Sequence, residues 1–338
     1  MYFFEFARNI IFKLVHILFT RRKEARWAQR YLNNLQEELG GRLSEQAFRK
    51  IIVSYSIYLP MIIDSFSGLR AQKISQKEKE RILLYFICST TFDDFLDEQT
   101  LSSENLSAIS WSPETFQPAS VEERAFLYGH LELKKQVRYK KEYEVIVQKL
   151  FKAQIDSLQQ AHSTLSAAEL ERITLEKGGY AVLLCPFYLD QESSEAEKNC
   201  WYLIGGIIQL TNDLFDIWKD LQAHISTLPV TIKDAHAFHV YFLERVHQLE
   251  IEIARIPVPA PRKRRFLTSM LAICSFGDMA IAQLKKIQQH QPFMPDLHML
   301  QRKALVVDME RPGNIGHCLR FAYRRCLQWK RKYDGPRG

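Results

Sequence analysis

The sequence predicts an all-α protein, and three observations support that prediction. The chain has 338 residues, of which 46% are hydrophobic, so it is long enough to bury a large core. Only 13 glycines and 12 prolines interrupt it, and these residues are the strongest signals for turns and loops. Apolar residues recur at helical spacing along most of the chain, and no segment alternates as a strand does. We therefore expect a single large helical bundle.

The periodicity predicts a series of long helices separated by three prominent loops. The predicted helical segments are 2–38, 44–67, 76–96, 121–160, 166–189, 195–222, 232–255, 262–290 and 296–331. The loops are a serine-rich stretch at 99–120, a polar stretch at 190–198 and a proline-rich stretch at 256–265. None of them is long enough to predict a domain linker. We expect one helical domain over 26–331, an amphipathic helix at 1–25 and a short basic tail at 332–338.

The first predicted helix is apolar, but it does not fit a membrane-spanning segment. Glu5, Arg8, Lys13 and His16 interrupt its hydrophobic residues, whereas a spanning helix needs roughly 20 predominantly apolar residues. The segment also lacks the basic start and cleavage site of a signal peptide. Its polar residues recur every three or four positions and form a narrow polar stripe. Two alternatives stay open: a helix packed on the core, or a helix lying at a membrane interface.

Charge and cysteine content restrict the partners and the compartment. The net charge is +7, and the excess lies in 302–338, a basic segment that suits diphosphate groups or anionic lipid headgroups. No zinc finger or recognition-helix pattern accompanies it, so nucleic acid is not a predicted partner. The six cysteines form no CxxC pair, which predicts reduced residues in a cytoplasmic protein, with peripheral membrane contact as the alternative location.

Two predicted helices carry groups of acidic side chains. The first acidic cluster is Asp93, Asp94 and Asp97, and the second acidic cluster is Asn212, Asp213, Asp216 and Asp220. Residues three and four positions apart share a helix face, so each cluster is expected to direct oxygen ligands to one side. Each cluster follows a mainly apolar run, and buried acids repel one another unless cations neutralise them. Such oxygen ligands suit magnesium, so all seven residues are predicted metal ligands.

These motifs resemble those of class I isoprenoid synthases. The segment DDFLDE at 93–98 resembles the DDxxD motif of terpene synthases and prenyltransferases, and also the DxxxD motif of squalene and phytoene synthases. In QLTNDLFDIWKDL, Asp216 and Asp220 resemble the second DxxxD of squalene and phytoene synthases. Asn212 with Asp216 and Asp220 resembles the Asn, Ser/Thr, Glu metal triad of terpene cyclases. The following HISTLP is similar to the stretch after the second DxxxD of squalene and phytoene synthases, and the similarity to the superfamily covers about 80–230.

The resemblance implies a fold, a reaction and a cofactor. The implied fold is a class I isoprenoid synthase bundle around a central apolar cavity. In it up to three Mg²⁺ ions, held by the two acidic clusters, help to ionise a prenyl diphosphate whose carbocation is then cyclised or rearranged. Phe215 stands where squalene and phytoene synthases carry Arg, and Asp216 and Asp220 stand where cyclases carry Ser/Thr and Glu. A head-to-head prenyl transferase is therefore one alternative, and a non-catalytic isoprenoid-binding or membrane scaffold protein is another.

The diphosphate also requires cationic partners, because arginine offers paired donors to phosphate oxygens. The candidates resemble in role the diphosphate-sensing Arg and the Arg-Tyr pair of terpene cyclases, and they are Arg172, Lys177, Arg320, Tyr323 and Arg324. A homodimer is left open beside a monomer.

A glycine pair, Gly178 and Gly179, precedes the second acidic cluster inside a helical pattern. Each glycine costs about 1 kcal/mol relative to alanine in a helix interior, so a reason for the pair is expected. One alternative is a kink that exposes backbone carbonyls to a cation, as in the broken helix of class I cyclases. The other is close helix packing.

Overall fold

The computed structural model describes residues 2–161 and 164–334, and these residues form helices joined by loops, with no β-strand among them. The all-α prediction is confirmed. The helices are α1 (Tyr2–Glu38), α2 (Glu45–Tyr58), α3 (Asp64–Leu69), α4 (Gln76–Asp97), α5 (Ser103–Trp111), α6 (Val121–Gln136), α7 (Lys140–Ser157), α8 (Ala167–Leu183), α9 (Glu195–Gln222), α10 (Ala235–Arg255), α11 (Ala260–Gln288), α12 (Arg302–Leu305) and α13 (Pro312–Tyr333).

The helices that carry the acidic clusters begin at well-defined caps. Ser75 precedes α4, and its hydroxyl accepts a hydrogen bond from the backbone N–H of Glu78, whose carboxylate accepts one from the Ser75 N–H. Ser194 and Glu197 form the same reciprocal pair at the start of α9. Each pair satisfies backbone donors that a helix start leaves unpaired. The limits predicted from periodicity, 76–96 and 195–222, agree with the observed α4 and α9 to within one residue.

Proline alters the helical geometry of three segments that were predicted as continuous helices. Pro60 lies in the π-helical turn Leu59–Ile63 between α2 and α3, Pro186 lies in the 3₁₀ turn Cys185–Tyr188 after α8, and Pro312 begins α13. Proline lacks a backbone N–H and its ring clashes with the preceding turn, so a regular helix cannot continue through it. The predicted segments 166–189 and 296–331 are therefore divided, whereas the predicted segment 44–67 stays helical as Glu45–Leu69, with a π-helical turn at Leu59–Ile63.

Two other predictions about local structure are wrong. The serine-rich stretch 99–120 contains α5, which is capped by the Ser102 hydroxyl and buries Leu106 and Ile109. The predicted helix 121–160 is interrupted after α6 at Val137, and α7 begins at Lys140. The backbone of Val137 is extended and its side chain is buried. In both places tertiary burial decides the backbone conformation, and local periodicity does not.

The chain forms two compact units. The first unit contains the described residues of Met1–Ile10, Ile146–Leu184 and Ser193–Gly338, and the second unit contains Ile11–Val145 and Cys185–Glu192. In the first unit α9, α10 and α11 pack against one another, α8 packs on α9, and α13 packs on α11. In the second unit α4 packs against α2 and α6. The predicted limits at 25/26 and 331/332 fall within α1 and α13.

Two helical stretches, Glu45–Leu69 and Ala260–Gln288, are long and apolar enough to cross a membrane. In Ala260–Gln288, 78% of the apolar window is buried, as expected for the core helix of a globular unit. The corresponding share of Glu45–Leu69 is 44%. The apolar composition of α11 is therefore accounted for by its packing in the first unit.

Candidate active site

The second acidic cluster lies in the C-terminal half of α9, in the first unit. Asp213 and Asp220 are buried, with 8% and 7% of their surface exposed, whereas Asn212 and Asp216 are exposed. Residues seven positions apart lie on the same face after two turns of a helix, so Asp213 and Asp220 share the buried side. The predicted row of Asn212, Asp216 and Asp220 is thus divided between an exposed and a buried side.

Asp213 is held by hydrogen bonds from two neighbours. The Thr174 hydroxyl on α8 donates to Oδ2 at 3.0 Å, and the Gln209 amide donates to Oδ1 at 2.8 Å. Burial raises the pKa of Asp213 to about 6 against the lowering effect of these hydrogen bonds and of the Lys177 charge. The negative charge of Asp216 is a smaller contribution that also raises this pKa. Lys177, a predicted diphosphate partner, therefore acts electrostatically on the second acidic cluster.

Asp220 is covered by the segment that follows α9. The Thr227 hydroxyl donates to its Oδ2 at 3.2 Å, and the Ile225 N–H donates to its backbone carbonyl at 2.9 Å. Burial raises the pKa of Asp220 to about 6, and the negative charges of Asp213 and Asp216 also raise it. The three carboxylates thus repel one another when all are ionised.

The raised pKa of Asp213 predicts an effect on stability. A carboxyl whose pKa rises from 3.8 to about 6 on folding binds protons more strongly in the folded state. Ionisation of the buried Asp213 carboxyl therefore lowers the free energy of unfolding as pH increases from about 4 to about 6. Above pH 6 the free energy of unfolding stays lower by that amount. Asp213→Asn is expected to stabilise the protein at pH 7.5 by about 1 to 3 kcal/mol.

Urea unfolding of wild type and Asp213→Asn at pH 7.5 and pH 4.5 measures this difference. The advantage of the variant is expected to shrink at the lower pH, where the wild-type carboxyl is protonated. Equal or lower stability of the variant at pH 7.5 would contradict this prediction. It would show that the hydrogen bonds to the wild-type Asp213 carboxylate outweigh the penalty for burying the charge of Asp213.

Close packing of α8 on α9 places Thr174 and Lys177 beside Asp213. A Cβ atom on Gly178 would overlap the carbonyl oxygen of Gly205, and a Cβ on Gly205 would overlap that of Gly178. Because α8 continues through Gly178 and Gly179 to Leu183, the structure does not favour the alternative of a broken helix. Close helix packing, the other alternative, explains the glycine pair.

The first acidic cluster lies at the C-terminal end of α4, in the second unit. Asp94 is buried and its Oδ1 lies 2.6 Å from the Lys50 ammonium on α2, while Asp93 is partly exposed and Asp97 is exposed. Burial lowers the pKa of Lys50, but the hydrogen bond to Asp94 and the charges of the three acids outweigh this and raise it. Lys50 could not be predicted from local sequence, because only the packing of α2 on α4 brings it to the cluster.

Buried tyrosines lie next to the first acidic cluster in the same unit. Tyr85 lies two turns before Asp93 on α4, and its ring centroid is 5.3 Å from that of Tyr188. The Tyr188 and Tyr143 hydroxyls are hydrogen-bonded at 3.2 Å. Burial raises the pKa of Tyr85 well above its ordinary value, and the negative charge of Asp93 adds to this effect. Asp93 of the first acidic cluster is therefore close to a group of buried aromatic side chains.

The other predicted diphosphate partners have different surroundings in the structure. Arg172 is paired with Asp156 and Glu176, at 2.8 and 2.9 Å. Arg320 and Arg324 are exposed on α13. The ring of Tyr323 packs against aromatic side chains at the start of α1, namely Tyr2, Phe3 and Phe6. Lys177 is the candidate whose charge acts on Asp213 of the second acidic cluster, where it lowers the pKa.

A buried carboxylate that sequence reasoning missed links three helices of the first unit. Asp278 on α11 accepts hydrogen bonds from His239 Nε2 of α10 at 2.7 Å and from His317 Nε2 of α13 at 2.6 Å. Burial alone would raise the pKa of Asp278, but the two histidines outweigh it and lower that pKa. Both carboxylate oxygens are engaged, so Asp278 serves as a structural link between helices.

Within residues 2–161 and 164–334, no three or more His, Cys, Asp or Glu side chains converge on a position that could hold a metal ion. Magnesium typically takes one or two protein carboxylates and completes its shell with waters and substrate phosphates. The exposed acids of each cluster fit that smaller requirement. A surface cleft between the end of α1 and the start of α2 in the second unit includes no residue of the first acidic cluster.

No protein-family model matches the chain, and no curated protein matches its sequence. The likeness of the two motifs to class I isoprenoid synthases therefore stays a prediction.

Proposed function

We propose that the protein is a magnesium-dependent class I isoprenoid synthase that ionises a prenyl diphosphate and cyclises or rearranges the carbocation. The observation that carries the proposal is the group of mutually repelling carboxylates on α9, Asp213, Asp216 and Asp220. Two of them are buried with their pKa raised to about 6. Strongly perturbed acids that destabilise a fold are typical of functional sites.

The oxygen donors of the two clusters are suited to magnesium. Asp216 and Asn212 are exposed beside buried Asp220, and Asp97 is exposed near Lys50 in the first cluster. We assign magnesium ligation to the acids of both clusters, because a magnesium ion held by one or two carboxylates can also bind phosphate oxygens and stabilise negative charge on them. Lys177 adds a positive charge beside the second acidic cluster.

One observation favours a second candidate, a non-catalytic isoprenoid-binding protein. The Lys50 ammonium lies 2.6 Å from Asp94 and already neutralises part of the first acidic cluster. A cluster neutralised by a lysine needs fewer metal ions than one composed of acids alone. Under this alternative the second acidic cluster does not bind magnesium with diphosphate.

Thermal unfolding with magnesium and inorganic diphosphate distinguishes the two candidates. A ligand that binds only the folded state stabilises it by about 2.7 kcal/mol at a concentration of 100 times its dissociation constant. We expect magnesium and diphosphate together to raise the melting temperature by several degrees, and either one alone to have a much smaller effect. Absence of the joint shift would favour the non-catalytic candidate.

A further inference from the structure

The polar stripe of α1 faces the protein in the second unit. The Lys13 ammonium donates hydrogen bonds to the Pro60 carbonyl at 2.7 Å and to the Ser65 hydroxyl at 2.5 Å. His16 Nε2 lies 2.7 Å from Asp64 Oδ2. Burial lowers the pKa of Lys13 to about 8. The side chains that an ordinary surface helix would direct to water are thus paired with protein groups.

The opposite face of α1 is apolar and exposed to solvent. Phe12 and Phe19 have 68% and 74% of their surface exposed. Neighbouring residues of this stretch are also large, hydrophobic and exposed, namely Ile11, Leu14, Val15 and Leu18. Single exposed apolar residues are ordinary, but a contiguous group marks a surface that binds a membrane or another protein. In this stretch of α1 the apolar face is therefore exposed and the polar face is directed to the protein, the reverse of an amphipathic helix on the surface of a soluble protein.

A group of cations continues from this apolar face. Arg21, Arg22, Lys23 and Arg26 are exposed in the next two turns of α1. Within residues 11–34 the one acid is Glu24, which is buried and bonded to Lys79 and Tyr55. The exposed part of this stretch consequently carries positive charge without an acidic counterpart.

We propose that residues 11–26 of α1 dock on an anionic lipid bilayer, with the apolar face in the acyl boundary and the cations among the headgroups. Interfacial helices combine these two features, and each Lys or Arg near an anionic surface strengthens binding. A second copy of the same face would supply no acids to pair with these cations, whereas anionic headgroups would. This inference goes beyond the proposed function and does not depend on it.

Flotation of the full chain with vesicles tests the proposal. Vesicles of phosphatidylglycerol and phosphatidylcholine are expected to carry the protein at low salt, and binding should weaken as salt screens the headgroup charge. Phe12→Gln with Phe19→Gln should reduce partitioning by at least roughly tenfold, because two apolar side chains leave the acyl boundary. Arg22→Gln with Lys23→Gln should reduce both the binding and its salt dependence.

Matched controls separate this surface from general adhesion. Phe293→Gln removes another aromatic side chain, which is 66% exposed, and Lys73→Gln with Lys77→Gln removes two other exposed lysines of the second unit. These variants should bind like wild type. The proposal is overturned if the full chain does not float with anionic vesicles at low salt, or if the Phe12 and Phe19 variant binds as well as the controls. Unchanged flotation together with loss of a dimer in this variant would identify the face as a protein interface instead.

Discussion

Asp216→Ala is expected to lower turnover of a prenyl diphosphate roughly hundredfold to thousandfold, the range seen when one electrostatic contact to a developing anion is removed. The fold should survive, because 53% of the Asp216 side chain is exposed and its ion pair with Lys219 is long, at 4.0 Å. Removing its charge also relieves repulsion on Asp213 and Asp220. Circular dichroism and diphosphate release, measured on the same preparation, check both parts of this prediction.

Glu195→Ala is the matched control for Asp216→Ala. Glu195 is an acid of the same helix, its side chain is 85% exposed, and it pairs with a lysine three positions away. It lies in the first turn of α9, outside the acidic cluster, so its loss should leave turnover unchanged. Wild-type turnover in Asp216→Ala would show that the second acidic cluster is not the catalytic site.

Gly178→Ala is expected to destabilise the first unit by about 3 kcal/mol, at the upper end of the cost of overpacking a core. The added methyl group would meet the Gly205 backbone, which cannot rotate away as a flexible side chain could. Separation of α8 from α9 should also weaken the Thr174 bond to Asp213, so turnover should fall. Urea unfolding followed by circular dichroism measures the change in the free energy of unfolding.

Gly316→Ala is the control for this prediction. Gly316 lies within α13, and among the described residues no atom beyond its chain neighbours and the backbone of its own helix lies within 4 Å of the position of an added Cβ. Because alanine is the better helix former, this variant should match or exceed wild-type stability by up to about 1 kcal/mol. Equal stability of the Gly178 and Gly316 variants would contradict the close approach of α8 and α9.

The sequence was informative where local chemistry decides the structure. Ser75 with Glu78 and Ser194 with Glu197 form capping boxes, and their spacing is readable without tertiary information. The π-helical turn at Pro60 and the end of α8 before Pro186 were missed because apolar periodicity continues across both prolines. Proline geometry prevails there over the hydrophobic pattern.

The candidate site was only partly predictable. The acids of both clusters were recognised from their spacing, but the buried side of α9 is set by its packing on α8, which turns Asp213 and Asp220 inward. Lys50 is 44 positions from Asp94. Asp278 is 39 positions from each of its histidines. Separations of this size carry no local pattern, so tertiary packing alone creates these pairs.

Release of inorganic diphosphate by the purified full chain tests the proposed enzyme most directly. The protein would be incubated with prenyl diphosphates of increasing length, with magnesium and with a chelator, and organic products identified by mass spectrometry. We predict magnesium-dependent release from at least one length, accompanied by a cyclic or rearranged hydrocarbon or alcohol. Two substrate chains joined in one product would identify the head-to-head alternative. No release from any length in the presence of magnesium would contradict the assignment of the two acidic clusters to prenyl diphosphate ionisation.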